Sequence, residues 1–309
     1  MRRSLIVLTA ALGLFFTLGS SFHRTAHAQQ RVNQRQAATA DGLLRIHNLV
    51  GSVRVVGWDR DTIAVSGTIG SGAFYFAVGK GSGKMGVELP DGTAQARATG
   101  KTEGRDVTGS TLEVWVPRRT RVWVKTASAS ITVDDVTGGV DLYSVGGSIR
   151  VSGAPQDLHA ESMDGAVELD VTTAAARIRS AGGAVTLRGA IENAVASSVS
   201  GSITVVGARL QRGRLETVTG DVRYEGAVER GSSLDFESHA GTITLVVPID
   251  VSADFDVTAF NGDIRNGIHR VLPRLGNDLR SKSLSFTAGD GGAQVTIRNF
   301  KGGIELLGR

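Results

Sequence analysis

The chain has 309 residues, with 34 basic and 30 acidic side chains, a formal net charge of +4, 41 glycines, 5 prolines, 5% aromatic residues and no cysteine. Lack of cysteine excludes a disulfide framework, thiol chemistry and a lipoprotein-type anchor. Arg2, Arg3 and Arg24 fall in the leader described next, so the remaining balance is 31 basic against 30 acidic residues. No basic run interleaved with aromatics appears, which argues against a nucleic-acid partner.

Residues 1–28 read as a secretory signal peptide, with Arg2 and Arg3 as its basic start, Leu5 to Leu18 as an apolar core and Ala26-His27-Ala28 as a small-x-small cleavage site. No later apolar run is long enough to span a bilayer, so no membrane span is expected in the mature chain. Residues 29–40 are polar and are expected to be a disordered tether. An N-terminal β region is expected over 41–121. It opens with Leu44-Arg45-Ile46 and Gly51-Ser52-Val53-Arg54-Val55, turns at Trp58-Asp59-Arg60-Asp61, and continues through glycine-rich hairpins to Leu112-Glu113-Val114-Trp115-Val116-Pro117. Within it, Gly79-Lys80-Gly81-Ser82-Gly83-Lys84 lacks the spacing of a phosphate-binding loop and reads as a turn.

From Val122 an array begins. Gly147, Gly165, Gly183 and Gly201 stand 18 residues apart, each followed by a small residue and then an apolar-x-apolar triplet such as Ile149-Arg150-Val151 or Val185-Thr186-Leu187. Three residues before each glycine is a hydroxyl, Ser144, Ser162, Ser180 or Ser198, preceded in turn by alternating small or apolar positions. Period-two alternation marks strands with one buried face. The alternation resets at the hydroxyl-to-glycine step and again near Gly153, Gly189 and Gly207, where positive backbone angles are expected. Two strands and two corners make one coil. Like residues recur at like phase, so equivalent coils are expected to stack in parallel: an all-β, single-stranded parallel β-helix, or β-solenoid, of about 18 to 21 residues per coil over 122–309. Nine coils would span about 40 Å at one rung per 4.8 Å. Gly220, Gly241 and Gly262 carry the array onward, an insertion at 266–282 with a short helix broken at Pro273 interrupts it, and a bulged last copy combines Leu284-Ser285-Phe286, Gly292 and Val295-Thr296-Ile297.

Val53-Arg54-Val55-Val56-Gly57-Trp58-Asp59-Arg60-Asp61, then Leu112 to Pro117 leading into Val122-Trp123-Val124-Lys125-Thr126, then successive Gly-x-Ile/Val-x-Val units, resemble the bacterial putative-adhesin family of β-strand-repeat domains of unknown function. The resemblance covers residues 41–309 and departs at Ala129, which stands where the first array coil would have glycine. It implies an exported β-helical domain of the cell envelope and supplies no catalytic residues.

Stacking turns outward positions into columns. One reads Lys125, Tyr143, Glu161, Arg179, Ser197, Glu216, Glu237 and another Thr132, Arg150, Glu168, Thr186, Thr204, Arg223, Thr244, Arg265. Tyr143, Glu161, Arg179, Arg150 and Glu168, with Arg270 and Arg274 from the insertion, are therefore the surface-binding candidates. Asp235 and Asp256 would share a column one rung apart, near the carboxylate spacing of a retaining glycosidase. The recurring hydroxyls are expected to cap corners, and the four mature histidines, His47, His159, His239 and His269, occupy different phases, which opposes a stacked metal cluster. No cofactor motif is present. The sequence thus points to an exported, non-enzymatic envelope protein, periplasmic, surface-bound or secreted, acting as adhesin or scaffold towards a glycan or an envelope protein. A carbohydrate-active β-helix enzyme and a sensor domain of an envelope stress system are the alternatives.

Overall fold

Apolar residues at every second position do build strands with one buried face, and these strands lie side by side. The computed structural model describes residues 30–89, 107–276 and 280–309, so the expected signal peptide lies outside the described residues. Among the described residues there is no helix, and 25 strands join in one continuous sheet that winds into a β-solenoid-like body.

The N-terminal strands are β1 (Gln30–Ala37), β2 (Leu43–Asn48), β3 (Gly51–Trp58), β4 (Thr62–Ile69), β5 (Ala73–Val78), β6 (Ser82–Glu88) and β7 (Ser110–Pro117). The array follows as β8 (Arg121–Lys125), β9 (Ser130–Asp134), β10 (Val140–Ser144), β11 (Ile149–Gly153), β12 (Asp157–Ser162), β13 (Val167–Ser180), β14 (Val185–Ser198), β15 (Ile203–Val206), β16 (Arg209–Thr217), β17 (Val222–Glu225), β18 (Ser233–Ser238) and β19 (Ile243–Val247). The C-terminal strands are β20 (Ala253–Ala259), β21 (Ile264–Asn266), β22 (Arg274–Leu275), β23 (Lys282–Ala288), β24 (Gln294–Asn299) and β25 (Ile304–Gly308).

Two parallel ladders result. On the first face β8, β10, β12, the second half of β13, the second half of β14, β16 and β18 pair in turn, with Val140 opposite Leu158 and Leu158 opposite Ala176. On the second face β9, β11, the first halves of β13 and β14, β15, β17 and β19 do the same, Ile149 lying between Ile131 and Val167. The inward columns close on each other as one core. Where one inward position of the first face holds only Ala176 and Ala194, the unbroken strands β13 and β14 carry Val171 and Ile191 inward through the second corner, so small and large residues compensate.

The corner glycines are required by contact between rungs rather than by φ. A Cβ on Gly165, Gly183, Gly201 or Gly220 would stand 2.0–2.1 Å from the carbonyl oxygen of the preceding corner glycine. Gly153, Gly189 and Gly207 at the second corner do have positive φ, of 111°, 95° and 61°. Ala129 stands beside a corner of different shape: Gly51, next to Ser52 which registers with Ser130, has φ 112°.

The ends depart from chain order. At the N-terminus β6 and β7 pair with β2 and β3 on the side away from β8 and β9, and β4 runs antiparallel outside β7. Residues 30–37, expected as part of a disordered tether, are an outermost strand antiparallel to β4, with only Val32 buried. An edge strand needs one hydrogen-bonded side and little apolar surface, which is why its polar sequence conceals it. At the C-terminus β24 lies between β18 and β20, and β25 between β19 and β21. The last copy is therefore phased differently from expectation: Leu284 to Phe286 belong to antiparallel β23, and the stacking glycine is Gly302, whose Cβ would meet Gly241 O at 2.0 Å, not Gly292. The helix expected in the insertion is absent among the described residues. Ile268 and Val271 pack against the core instead, and Asn266 donates to Val271 O at 3.0 Å, so this segment covers the last rung.

Candidate functional site

The buried hydroxyls hold the first corner. Ser144, Ser162, Ser180 and Thr217 each donate to the carbonyl of the glycine three residues on, at 2.7–2.8 Å. At the ends asparagine takes over: Asn48 donates to Ser52 O and Ser110 O, and Asn299 to Gly241 O and Gly303 O while accepting from Gly302 N. A hydroxyl satisfied by its own backbone in rung after rung is a cap, not a nucleophile.

Tyr143, Glu161 and Arg179 do stand in one column, on adjacent strands of the first face, and Arg179 meets Glu161 at 3.5 Å. Arg150 and Glu168 are also neighbours, paired at 2.8 Å, but on the second face. Arg270 and Arg274 sit exposed on the C-terminal cover, Arg274 within β22. Thus the seven candidates fall on three surfaces and form no single site. Displaced rungs also edit the columns: Arg298 follows Glu237, and Glu305 separates Thr244 from Arg265, which it binds at 3.0 Å. For the same reason Asp235 and Asp256 both register with Thr296 from opposite sides and lie two rungs apart, about 9.6 Å, not one. The spacing of a retaining glycosidase expected for this pair is therefore not found.

Two features were not found by reading columns. First, a chain of rings crosses the first face: His47 lies 5.1 Å from Trp123, Trp123 5.6 Å from Tyr143, and Tyr143 5.6 Å from His159, while Tyr75 Oη is 3.3 Å from His47 Nδ1. Burial, with Lys125 and Arg45 nearby, lowers the His47 pKa, and burial followed by the fields of Asp141 and Glu161 raises that of Tyr143. His47 and His159 are thus joined through aromatic neighbours although their phases differ. Second, the residue after each hydroxyl points out of the corner and is apolar in most rungs. Val145, Met163, Val199 and Val218 are exposed there, and the row ends in His239, Phe300 and Phe260. His239 stacks on Phe300 at 4.8 Å, and Phe260 stands 5.9 Å from Phe300.

Between this ridge and the charged column runs a shallow groove. Its first stretch, about 340 Å³, extends from Lys125 and Tyr143 to Arg179 and Ala181; its second, about 610 Å³, from Ser197 to Arg298 and Phe300. The two lie end to end on adjacent rungs, Arg179 registering with Ser197 and Ser180 with Ser198.

Residues 62–307 match the model of the Toastrack DUF4097 family. The chain belongs to this family. A search of curated proteins gives no match. Among solved structures this Toastrack chain is similar to a putative adhesin from Parabacteroides merdae, at 8% identity and a TM-score of 0.51, covering 90% of this chain and 96% of the other. It is similar to the same extent, 0.51 with 11% identity and the same coverage, to a putative lipid binding protein from Parabacteroides distasonis. At such identities the likeness is one of fold. Among the described residues of this Toastrack chain no helix is long and apolar enough to cross a membrane.

Proposed function

We propose that this Toastrack protein is exported to the cell envelope and works without catalysis, as an adhesin or scaffold whose rigid faces engage a glycan or an envelope protein. The observation that carries this reading is the register. Every array strand pairs on both sides with like residues, which fixes outward side chains in straight rows over many rungs without a mobile loop to carry them. Such rows suit multipoint contact with an extended partner, each contact being weak alone. An adhesin name on one protein of the same fold, and a lipid-binding name on another, support a binding role. The leader at 1–28 supports export. Cell fractionation of a C-terminally tagged chain, followed by cross-linking in whole cells, tests the proposal. Processing at Ala28, recovery from the envelope or medium, and cross-linked partners are expected. An unprocessed cytoplasmic chain, or turnover of an envelope polysaccharide by the purified protein, would overturn it.

A further inference from the structure

We propose that the groove beside the corner ridge is the ligand site, and that its ligand is the middle of a linear, uncharged polysaccharide lying along the solenoid axis. This deepens the binding role proposed above and rests on it. One wall is largely apolar and follows the rungs, with Met163 55%, Val218 45% and Phe300 45% exposed. The other wall steps in the same register but carries phenol, carboxylate and guanidinium groups, among them Tyr143, Glu161, Arg179, Glu216 and Arg298. A sugar ring has the same two-sided character, with C–H faces and equatorial hydroxyls, and its length is close to one rung height.

Charge selects against a polyanion. The groove is lined by the cations Lys125, Arg179, Arg214 and Arg298 and by the carboxylates Glu161, Glu216 and Glu237, with Asp235 beside Arg298 at 3.9 Å. Arg179 faces Glu161 and Arg214 binds Glu216, so much of the wall's charge is paired, and four cations against three lining carboxylates leave little net charge to draw a polyanion. Hydroxyl groups, which donate and accept, suit such pairs better than phosphate or carboxylate does. The buried hydroxyl row under the groove is already committed to the corner carbonyls, so contact comes from the two walls alone. Because the register carries the groove through consecutive rungs with no strand across it, internal segments of a chain rather than its ends are bound.

The test uses the mature protein and an array of chitin, cellulose and dextran oligomers of graded length, with hyaluronan and heparin fragments as acidic controls. Retention of neutral oligomers is expected, tightening with each added sugar until the oligomer spans the groove, with acidic fragments bound at least about tenfold more weakly. Met163→Ser with Phe300→Ser, and separately Glu161→Gln with Glu216→Gln, should each weaken binding about tenfold or more with only a small change in melting temperature, since Met163 and Phe300 are exposed and Glu161 and Glu216 lie in surface ion pairs that contribute little to stability. Several outcomes overturn the groove assignment. They are no neutral oligomer bound, affinity independent of length, phosphatidylcholine–phosphatidylglycerol vesicles bound through the ridge, or a concentration-dependent dimer lost in the ridge variant. Glycan binding that survives both pairs of substitutions would refute the groove and leave the adhesin reading standing. Failure of export or of any cross-linked partner would remove the reading beneath it.

Discussion

Between β8 and β19 each rung is laid on the one before it in chain order, whereas at both ends the chain leaves a place vacant and later returns to fill it. β2 and β3 receive β6 and β7 on their outer side after β4 has been placed beyond, and β18 and β19 receive β24 and β25 after β20 and β21. A stacked array is held only by nearest neighbours, and its last rung would fray from an open edge. Filling the place next to last ties the end of the chain between two strands and leaves antiparallel β5, β1, β23 and β22 outermost on three of the four edges. The middle is a product of repetition; the ends are a product of topology.

The sharpest way to break this comparison is to remove residues 290–309. β20 and β21 then face a vacant rung, and Val295, Ile297, Ile304 and Leu306, all fully buried, are lost. At about 1.5–3 kcal/mol each the loss approaches the whole stability of an ordinary domain, about 5–15 kcal/mol. Hydrogen exchange should show β20 and β21 unprotected, with the rungs from β8 to β17 still protected. If they stay protected, β20 has closed onto β18 and the inserted rung is dispensable.

Glycines give the next effect. Gly183→Ala places a methyl 2.1 Å from a backbone carbonyl that cannot turn aside, and a loss of about 3 kcal/mol is expected in urea titration. Gly207→Ala meets nothing within 4 Å and loses only the ease of φ 61°, about 1 kcal/mol. Equal losses would mean that stacking distance is not what selects glycine in the middle.

The repeat was legible because each coil states its own pattern locally. Gly147 to Gly201, the capping hydroxyls and the positive-φ corners all follow from residues a few positions apart. Rung order at the ends was not legible, because Val295-Thr296-Ile297 has the same apolar-x-apolar form as every other strand, and nothing in that form says which neighbours it takes. Asp235 and Asp256 were misplaced for this reason alone. Gln30–Ala37 was hidden by its polarity, and the Trp123–His47 contact by its dependence on pairing between β2 and β8. The corner ridge could have been found: Val145, Met163, Val199 and Val218 are apolar at an outward phase, which a buried-face pattern does not explain.

Caps offer a smaller contrast between end and middle. Ser162 satisfies one carbonyl, whereas Asn299 makes three hydrogen bonds that join its own corner to Gly241 on the neighbouring rung. Ser162→Ala should cost about 1 kcal/mol and Asn299→Ala about 2–3 kcal/mol by thermal unfolding, because buried groups are left unpaired. A reversed order would show that the inserted rung does not depend on its cap.

The last effect is on pH and belongs to the C-terminal end. Asp254 accepts from Thr287 Oγ1 at 2.6 Å and from Gly292 N at 3.3 Å, and these bonds hold its carboxyl below the usual carboxylate range. Its folded pKa lies below its unfolded one, so the stabilisation is fully present above the unfolded value, about 4, and is lost as pH falls through the folded value. In the middle rungs the corners are held mainly by buried hydroxyls that do not titrate, with Thr242 N on Asp221 Oδ1 at 2.7 Å the carboxylate contact nearest this end. Protection of the Gly292 amide should therefore fall in acid before that of the Ile203 amide, and Asp254→Asn should show the lowered Gly292 protection already at neutral pH. Parallel loss at both amides would mean that acid acts on the whole solenoid and not on the turn that feeds its inserted rung.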